Sequence, residues 1–152
     1  RSRTFRDIVE AIEAGDVIVY LQTQPLLKGR FAGTLTWLSR TSHFRYVRIS
    51  LNPDVNGEMA IASLGHELRH AVEVMREPAV VDPESLTAYY KRIGFSMQSH
   101  DGWDTHAARE VGDDVRRELA ENRTARLADP APFEPLAWRN VYRDARERTV
   151  SR

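Results

Sequence analysis

Apolar residues recur along the chain first at helical spacing, then at strand spacing, then again at helical spacing. Phe5, Ile8, Val9 and Ile12 share one stripe, with Thr4 before them, Asp7 at the third helical position and Gly15 after them. This pattern predicts a capped amphipathic helix over 4–15. The segment 16–22 (DVIVYLQ) is short, β-branched and apolar on both faces, which suits a strand covered on both sides. After a break at 25–30, residues 34–38 alternate polar with apolar, and 44–51 (FRYVRISL) follows across a Ser/Thr/His turn. The economical reading is a meander of three strands. Turn and cap residues at 52–57 then hand over to helical spacing from 58 to 76, which Pro78 ends. Asp82, Pro83 and Gly94 bracket a third helix carrying Leu86, Tyr89, Tyr90 and Ile93. A loop over 95–103 precedes a fourth helix over 104–122, with Ala108, Val111, Val115 and Leu119 on its buried stripe. Pro130, Pro132 and Pro135 break the pattern, and the Arg-rich stretch 138–148 reads as a short helix or a tail. The expected organisation is one α+β domain over 1–127 and a Pro/Arg-rich tail over 128–152.

Composition removes several classes of function. The chain has 152 residues, enough to bury a core without staples. Its 22 basic and 22 acidic residues balance, and the basic ones are scattered, so no stripe suggests a nucleic-acid groove. There is no cysteine, so any metal must be held by His, Asp and Glu. No apolar run is long enough to span a bilayer. A chain beginning at Arg1 rather than Met fits an extracytoplasmic or secreted protein whose signal peptide has been removed or trimmed.

The second helix carries the chemistry. Within SLGHELRHAV at 63–72, His66, Glu67 and His70 form a His-Glu-x-x-His pattern. Residues four apart lie one turn along the same helical face, so two imidazoles at that interval can each offer a nitrogen to one zinc ion at roughly 2.0–2.1 Å. The intervening glutamate points about 100° round the axis, toward the open coordination position. There it can take a proton from a zinc-activated water and return it to the leaving amine. The bland alternative is a helix face whose histidines pair only with Glu67, Glu73 and solvent.

GHELRHAVEV resembles the active-site helix of zincin metallopeptidases. The order of helix, three strands, active-site helix and further helices is similar to that of the smallest gluzincins, the minigluzincin type. The segment also resembles uncharacterised bacterial proteins that carry HELxHAxEV. The resemblance covers about ten residues by motif, and residues 4–122 by order of elements. It implies a zincin-like α+β fold: an N-terminal helix and a mostly antiparallel three-stranded sheet packed on the active-site helix. One zinc ion per chain, peptide-bond hydrolysis with Glu67 as general base, and a peptide or protein substrate are implied with it. In these families a sheet strand at the cleft holds the substrate extended, a role the resemblance would give to 44–51. Arg69 departs from the family, which usually has an uncharged residue there.

Catalytic zinc generally takes three protein ligands. A metzincin continuation is absent, because Glu73 stands where that pattern has glycine. A gluzincin-like layout takes a carboxylate from the next long helix, and Asp104 fits best, in register with Ala108, Val111 and Val115. DTHAA at 104–108 is similar to the family's E-x-x-A-D, with aspartate replacing glutamate. Asp followed by Thr at a helix start is equally the signature of an N-cap. Glu73 shares the face of His66 but sits nearly two turns along, which suits a hydrogen bond to a ligand more than ligation. His100, His106 and Glu110 are further options. Tyr89 and Tyr90 are the options for stabilising an oxyanion, at most one of them reaching the cleft. Trp37, Trp103 and Trp138 read as packing residues, and Arg45 and Arg48 as surface charges. The competing expectation is a non-catalytic or latent scaffold that binds a peptide or protein partner in the same cleft.

Overall fold

The computed structural model describes residues 2–25, 32–97 and 102–128. Its elements run α1 (Arg3–Glu13), β1 (Val17–Thr23), β2 (Gly33–Arg40), β3 (Arg45–Leu51), α2 (Gly57–Arg76), α3 (Pro83–Ile93), β4 (Phe95–Ser96), β5 (Trp103–Asp104) and α4 (His106–Ala128). The class is α+β, with four helices and a three-stranded mixed sheet among the described residues. Arg1–Asn122 form one compact unit. The tail over 129–152, with Trp138, lies outside the described residues, as do 26–31 and 98–101, with His100.

The sheet is not a meander. Its order is β1-β3-β2, with β3 parallel to β1 and antiparallel to β2. β3 takes the middle because it is the strand best fitted for burial, with Val47 and Ile49 fully covered. Among the described residues β1 is an edge, and its outer face is open: Val17 is buried and Val19 partly so, but Ile18 and Tyr20 on the other face are exposed. The two-sided apolar pattern of 16–22 therefore reflects an open outer face and not a second covering layer. On the covered face, Val17 and Val47 pack with Ala71, Val74 and Val80, while Ile49 packs with Ile8, Leu68 and Val72. Trp37 joins the first of these clusters, in line with its reading as a packing residue. Helix α2 thus presents one side to the sheet and α1, and another, through Ala62, to Val115 and Leu119 of α4.

Two local expectations shift. Helix α1 begins earlier than Thr4, because Ser2 is the cap and its hydroxyl accepts from the Phe5 amide at 3.0 Å. Thr4 instead donates its hydroxyl to Glu118 of α4 at 2.7 Å. Arg45 is no surface charge. It is buried, grips Asp16 with Nε and a terminal nitrogen at 2.8 and 2.7 Å, and donates to the carbonyls of Val74, Met75, Glu77 and Val80. These carbonyls lie at and beyond the C-terminal end of α2, where a cation also meets the negative end of the helix dipole. Arg48, half-buried, has its Nε shielded from solvent without a hydrogen-bond partner among the described residues.

The stop and start signals around α2 and α3 hold. Gly57 opens α2 at φ +57°, the left-handed conformation that glycine tolerates. Asp82 and Ser85 make a reciprocal capping box with Pro83 in the first turn of α3, and Gly94 ends it. Among the described residues no helix is long and apolar enough to cross a membrane.

Candidate metal centre

His66 and His70 stand one turn apart on α2, their rings edge to face with centroids 4.9 Å apart. The third group comes from elsewhere in the fold. The loop expected over 95–103 is pinned at its base by a two-stranded ladder, Phe95 opposite Asp104 and Ser96 opposite Trp103. The ladder delivers Asp104 at the end of β5, two residues before α4. Its Oδ1 lies 3.3 Å from His66 Nε2 and 3.7 Å from His70 Nε2. The three donor atoms all fall within 4.8 Å of one another, so His66, His70 and Asp104 could hold a metal ion.

The donor set fits zinc. Ligands roughly 2.0–2.1 Å from a tetrahedral ion are roughly 3.4 Å from each other, and both measured edges lie close to that. Two imidazoles and one carboxylate are also ligand types that zinc accepts in open, three-ligand sites.

Asp104 is not the cap of α4. Thr105 is: its Oγ1 accepts from the Ala108 amide at 3.1 Å. This leaves the Asp104 carboxylate free to face the histidines, with the Thr105 amide donating to Oδ1 at 2.7 Å and Arg109 Nε donating to Oδ2 at 2.6 Å. Burial alone would raise the Asp104 pKa, but His66, His70 and Arg109 hold it far below the usual carboxylate range.

Glu73 is buried behind His70 rather than beside Asp104. Its Oε2 is 2.9 Å from His70 Nδ1, and its Oε1 accepts the Thr105 hydroxyl at 2.8 Å. With Nδ1 donating to Glu73, the Nε2 of His70 is the nitrogen directed at Asp104, the tautomer a ligand needs. Burial disfavours a charged His70, yet the hydrogen bonds it donates to Asp104 and Glu73 outweigh it and raise its pKa from 6.5 to about 9. Arg69 Nε lies 3.6 Å from Glu73 Oε1 and is not among the residues lining the cleft, so its charge serves the Glu73 side of α2.

Glu67 borders the same cleft, which has a volume of about 860 Å³. Its carboxyl is buried, and burial pushes its pKa up against the opposing pull of His70 and His66. It packs against the backbone of β2: a Cβ placed on Gly33 would stand 2.9 Å from Glu67 Oε1. The cleft is lined on the sheet side by Gly33, Thr34 and Leu35 of β2. Residues 44–51 do not border it, since β3 is paired on both sides. The strand available at the cleft is β2, an edge of the sheet among the described residues.

Tyr90 reaches the site and Tyr89 does not. The Tyr90 ring packs edge-on to His70 with centroids 5.2 Å apart, and its hydroxyl donates to the His70 carbonyl at 3.1 Å. Tyr89 packs against the cluster around Val74 and carries Arg92 over its ring. Trp103 is a cleft wall rather than a core residue. His106 is exposed on the first turn of α4, its ring against Phe95, and Glu110 is exposed one turn on. Neither joins the ligand group. Sequence reasoning missed Gly33, Thr105 and Arg109. Of these only Thr105 carried a signal, as a threonine at a helix start.

Compared with protein-family models, curated proteins and solved structures, the chain has no significant match to any of them.

Proposed function

We propose that this protein is a zinc-dependent peptidase of the gluzincin-like zincin kind, with His66, His70 and Asp104 as the metal ligands and Glu67 as the general base. One observation carries the reading: two histidines on one helix and a carboxylate from a separate hairpin converge through single atoms at 3.3 and 3.7 Å. Zinc held there supplies a Lewis acid that polarises a carbonyl and makes water acidic near neutral pH. The rest of the work falls to the chain. Glu67, buried and raised in pKa, accepts a proton from the attacking water and hands it to the departing amide nitrogen, as a base tuned toward neutrality does best. Gly33 and Leu35 lie at alternate positions on β2, so their outward amides and carbonyls can hold an extended peptide by strand addition. Leu35, Leu86, Tyr90 and Trp103 give the cleft an apolar wall and help exclude water.

The test combines zinc content with cleavage. Protein purified without added metal or chelator should carry about one zinc per chain, and Asp104→Ala and His70→Ala should carry little. Glu67→Gln should keep the zinc and lose hydrolysis of unfolded protein substrates. A parent that stays metal-free after reconstitution removes the peptidase reading.

A non-catalytic scaffold that binds a peptide in the same cleft is the second reading. It is favoured by the Tyr90 hydroxyl, which is spent on the His70 carbonyl and not presented to the cleft. Peptide binding by Glu67→Gln and the parent alike, with no cleavage by the parent under any zinc loading, would select it.

A further inference from the structure

Asp104 is one methylene shorter than the glutamate expected of this layout, and a short carboxylate reaches an ion only if it is aimed. The aiming group is on α4. Arg109 Nε donates to Asp104 Oδ2 at 2.6 Å, leaving Oδ1 to face His66 and His70. The guanidinium is itself fixed on two further sides. It lies 4.4 Å from the centroid of the Phe95 ring, and a terminal nitrogen is 3.3 Å from Met97 Sδ. Phe95 is the residue paired with Asp104 across the β4-β5 ladder. The same hairpin that delivers the aspartate therefore carries the platform for the arginine that orients it. Gly94 keeps the junction tight: a Cβ there would fall 2.5 Å from the Asp104 carbonyl oxygen.

The position of Arg109 has no helical justification. It lies near the start of α4, where the helix dipole favours anions and disfavours a cation. Among the charged groups nearby, Glu67 and Glu73 are buried beside the histidines. A guanidinium on Asp104 Oδ2 offsets the repulsion between the Asp104 and Glu67 carboxylates.

Resting on the metal-centre reading above, we propose that Arg109 is a positioning residue that holds Asp104 as a one-oxygen ligand. A carboxylate free to turn can present both oxygens to an ion and occupy the position a substrate needs. Arg109 removes that freedom by taking Oδ2 in a charge-assisted bond, whose planar donor geometry a lysine lacks.

The experiment measures zinc affinity by competition with a chromogenic chelator, and the visible absorption of the cobalt(II) form. It compares the parent with Asp104→Ala, Arg109→Ala, Arg109→Gln and Arg109→Lys, with circular dichroism to confirm folding. Arg109→Ala should bind zinc ~10- to 100-fold more weakly and show a cobalt band of lower intensity, as coordination number rises. Arg109→Gln, which retains an N–H donor, should lie between Arg109→Ala and the parent, and it carries the test if Arg109→Ala does not fold. Parent-like affinity and an unchanged cobalt spectrum in folded Arg109 variants, with Asp104→Ala still weakened, overturn the positioning role and leave the metal centre standing. Parent-like affinity in Asp104→Ala overturns the role by removing its object. A parent that binds neither ion overturns both this role and the function on which it rests.

Discussion

Gly33 and Glu67 occupy one space: the side chain that β2 lacks at Gly33 is the room the Glu67 carboxyl fills. An alanine Cβ would stand 2.8 Å from Glu67 Cγ and 2.9 Å from Oε1. Both distances are shorter than real contacts allow, and the end of the glutamate is the part able to move. Gly33→Ala should therefore displace the carboxyl without touching a metal ligand. Because a displacement of about 1 Å can cost on the order of 100-fold in rate, kcat should fall by at least about 10-fold with zinc content unchanged. Parallel zinc analysis and steady-state kinetics check this, and a fully active Gly33→Ala would show that Glu67 does not need that position.

Glu73 ties the two halves of the centre together. Its carboxylate takes the His70 Nδ1 of α2 with one oxygen and the Thr105 hydroxyl at the start of α4 with the other. Glu73→Ala leaves a buried imidazole N–H and the donor of a buried hydroxyl without an acceptor, at about 1–3 kcal/mol for each group so abandoned. It should also weaken zinc binding by roughly 10- to 100-fold, since the partner that orients a ligating histidine is lost. Thr105→Val keeps the His70 contact while removing the hydroxyl and the cap, so it should lower stability by about 1 kcal/mol with a smaller effect on zinc. Urea unfolding and chelator competition on both variants separate the two contributions, and equal zinc losses would argue against the division.

The protonation of His70 sets the pH dependence of the metal-free protein. Its pKa rises from 6.5 to about 9 in the folded state through Asp104 and Glu73. A group whose folded pKa exceeds its unfolded one stabilises fully below the unfolded value, and the contribution is lost as pH climbs through the folded value. Metal-free protein should thus melt at a lower temperature near pH 9.5 than near pH 6.5. A metal needs the bare Nε2, so zinc binding at pH 7 should release a proton from this pair. Titration calorimetry in two buffers of different ionisation heat reads that proton directly. Identical apparent heats would mean that His70 is already neutral.

Much of this centre was legible before the fold. The helix of His66, Glu67 and His70 followed from an apolar period around an i,i+4 pair, because helical spacing alone puts both imidazoles on one face. Asp104 was legible as a candidate carboxylate at the start of the next long helix, although it stands on β5, two residues before α4. Its freedom was not, since Asp-Thr at a helix start fits a cap at either residue and only Thr105 Oγ1 on the Ala108 amide decides between them. Strand order was hidden for a different reason. Hydrophobic alternation reports which residues are covered, not which strands are neighbours, so the central place of β3 and the edge role of β2 at the cleft were beyond it. Arg45 looked like a surface charge because its partners, four backbone carbonyls and the distant Asp16, have no sequence signature.

Arg45 gives the prediction that isolates fold from site. Its guanidinium binds Asp16 and the carbonyls around the end of α2 while almost wholly out of water. Removing one partner of a buried, hydrogen-bonded charge typically costs about 3–5 kcal/mol. Arg45→Met retains much of the apolar stem but abandons the carbonyls of Val74 and Met75 and the Asp16 carboxylate, so the loss should fall in that range. Asp16→Asn should cost less, because the Asp16 side chain is partly exposed and the carbonyl contacts of Arg45 survive. The proposed ligands on α2, His66 and His70, lie a turn or more before Val74, so zinc affinity in folded Arg45→Met at low temperature should equal that of the parent. Denaturant midpoints and zinc competition measured together decide the matter: a loss of zinc affinity without a loss of stability would assign Arg45 to the site, and the reverse assigns it to the frame that holds α2 against the sheet.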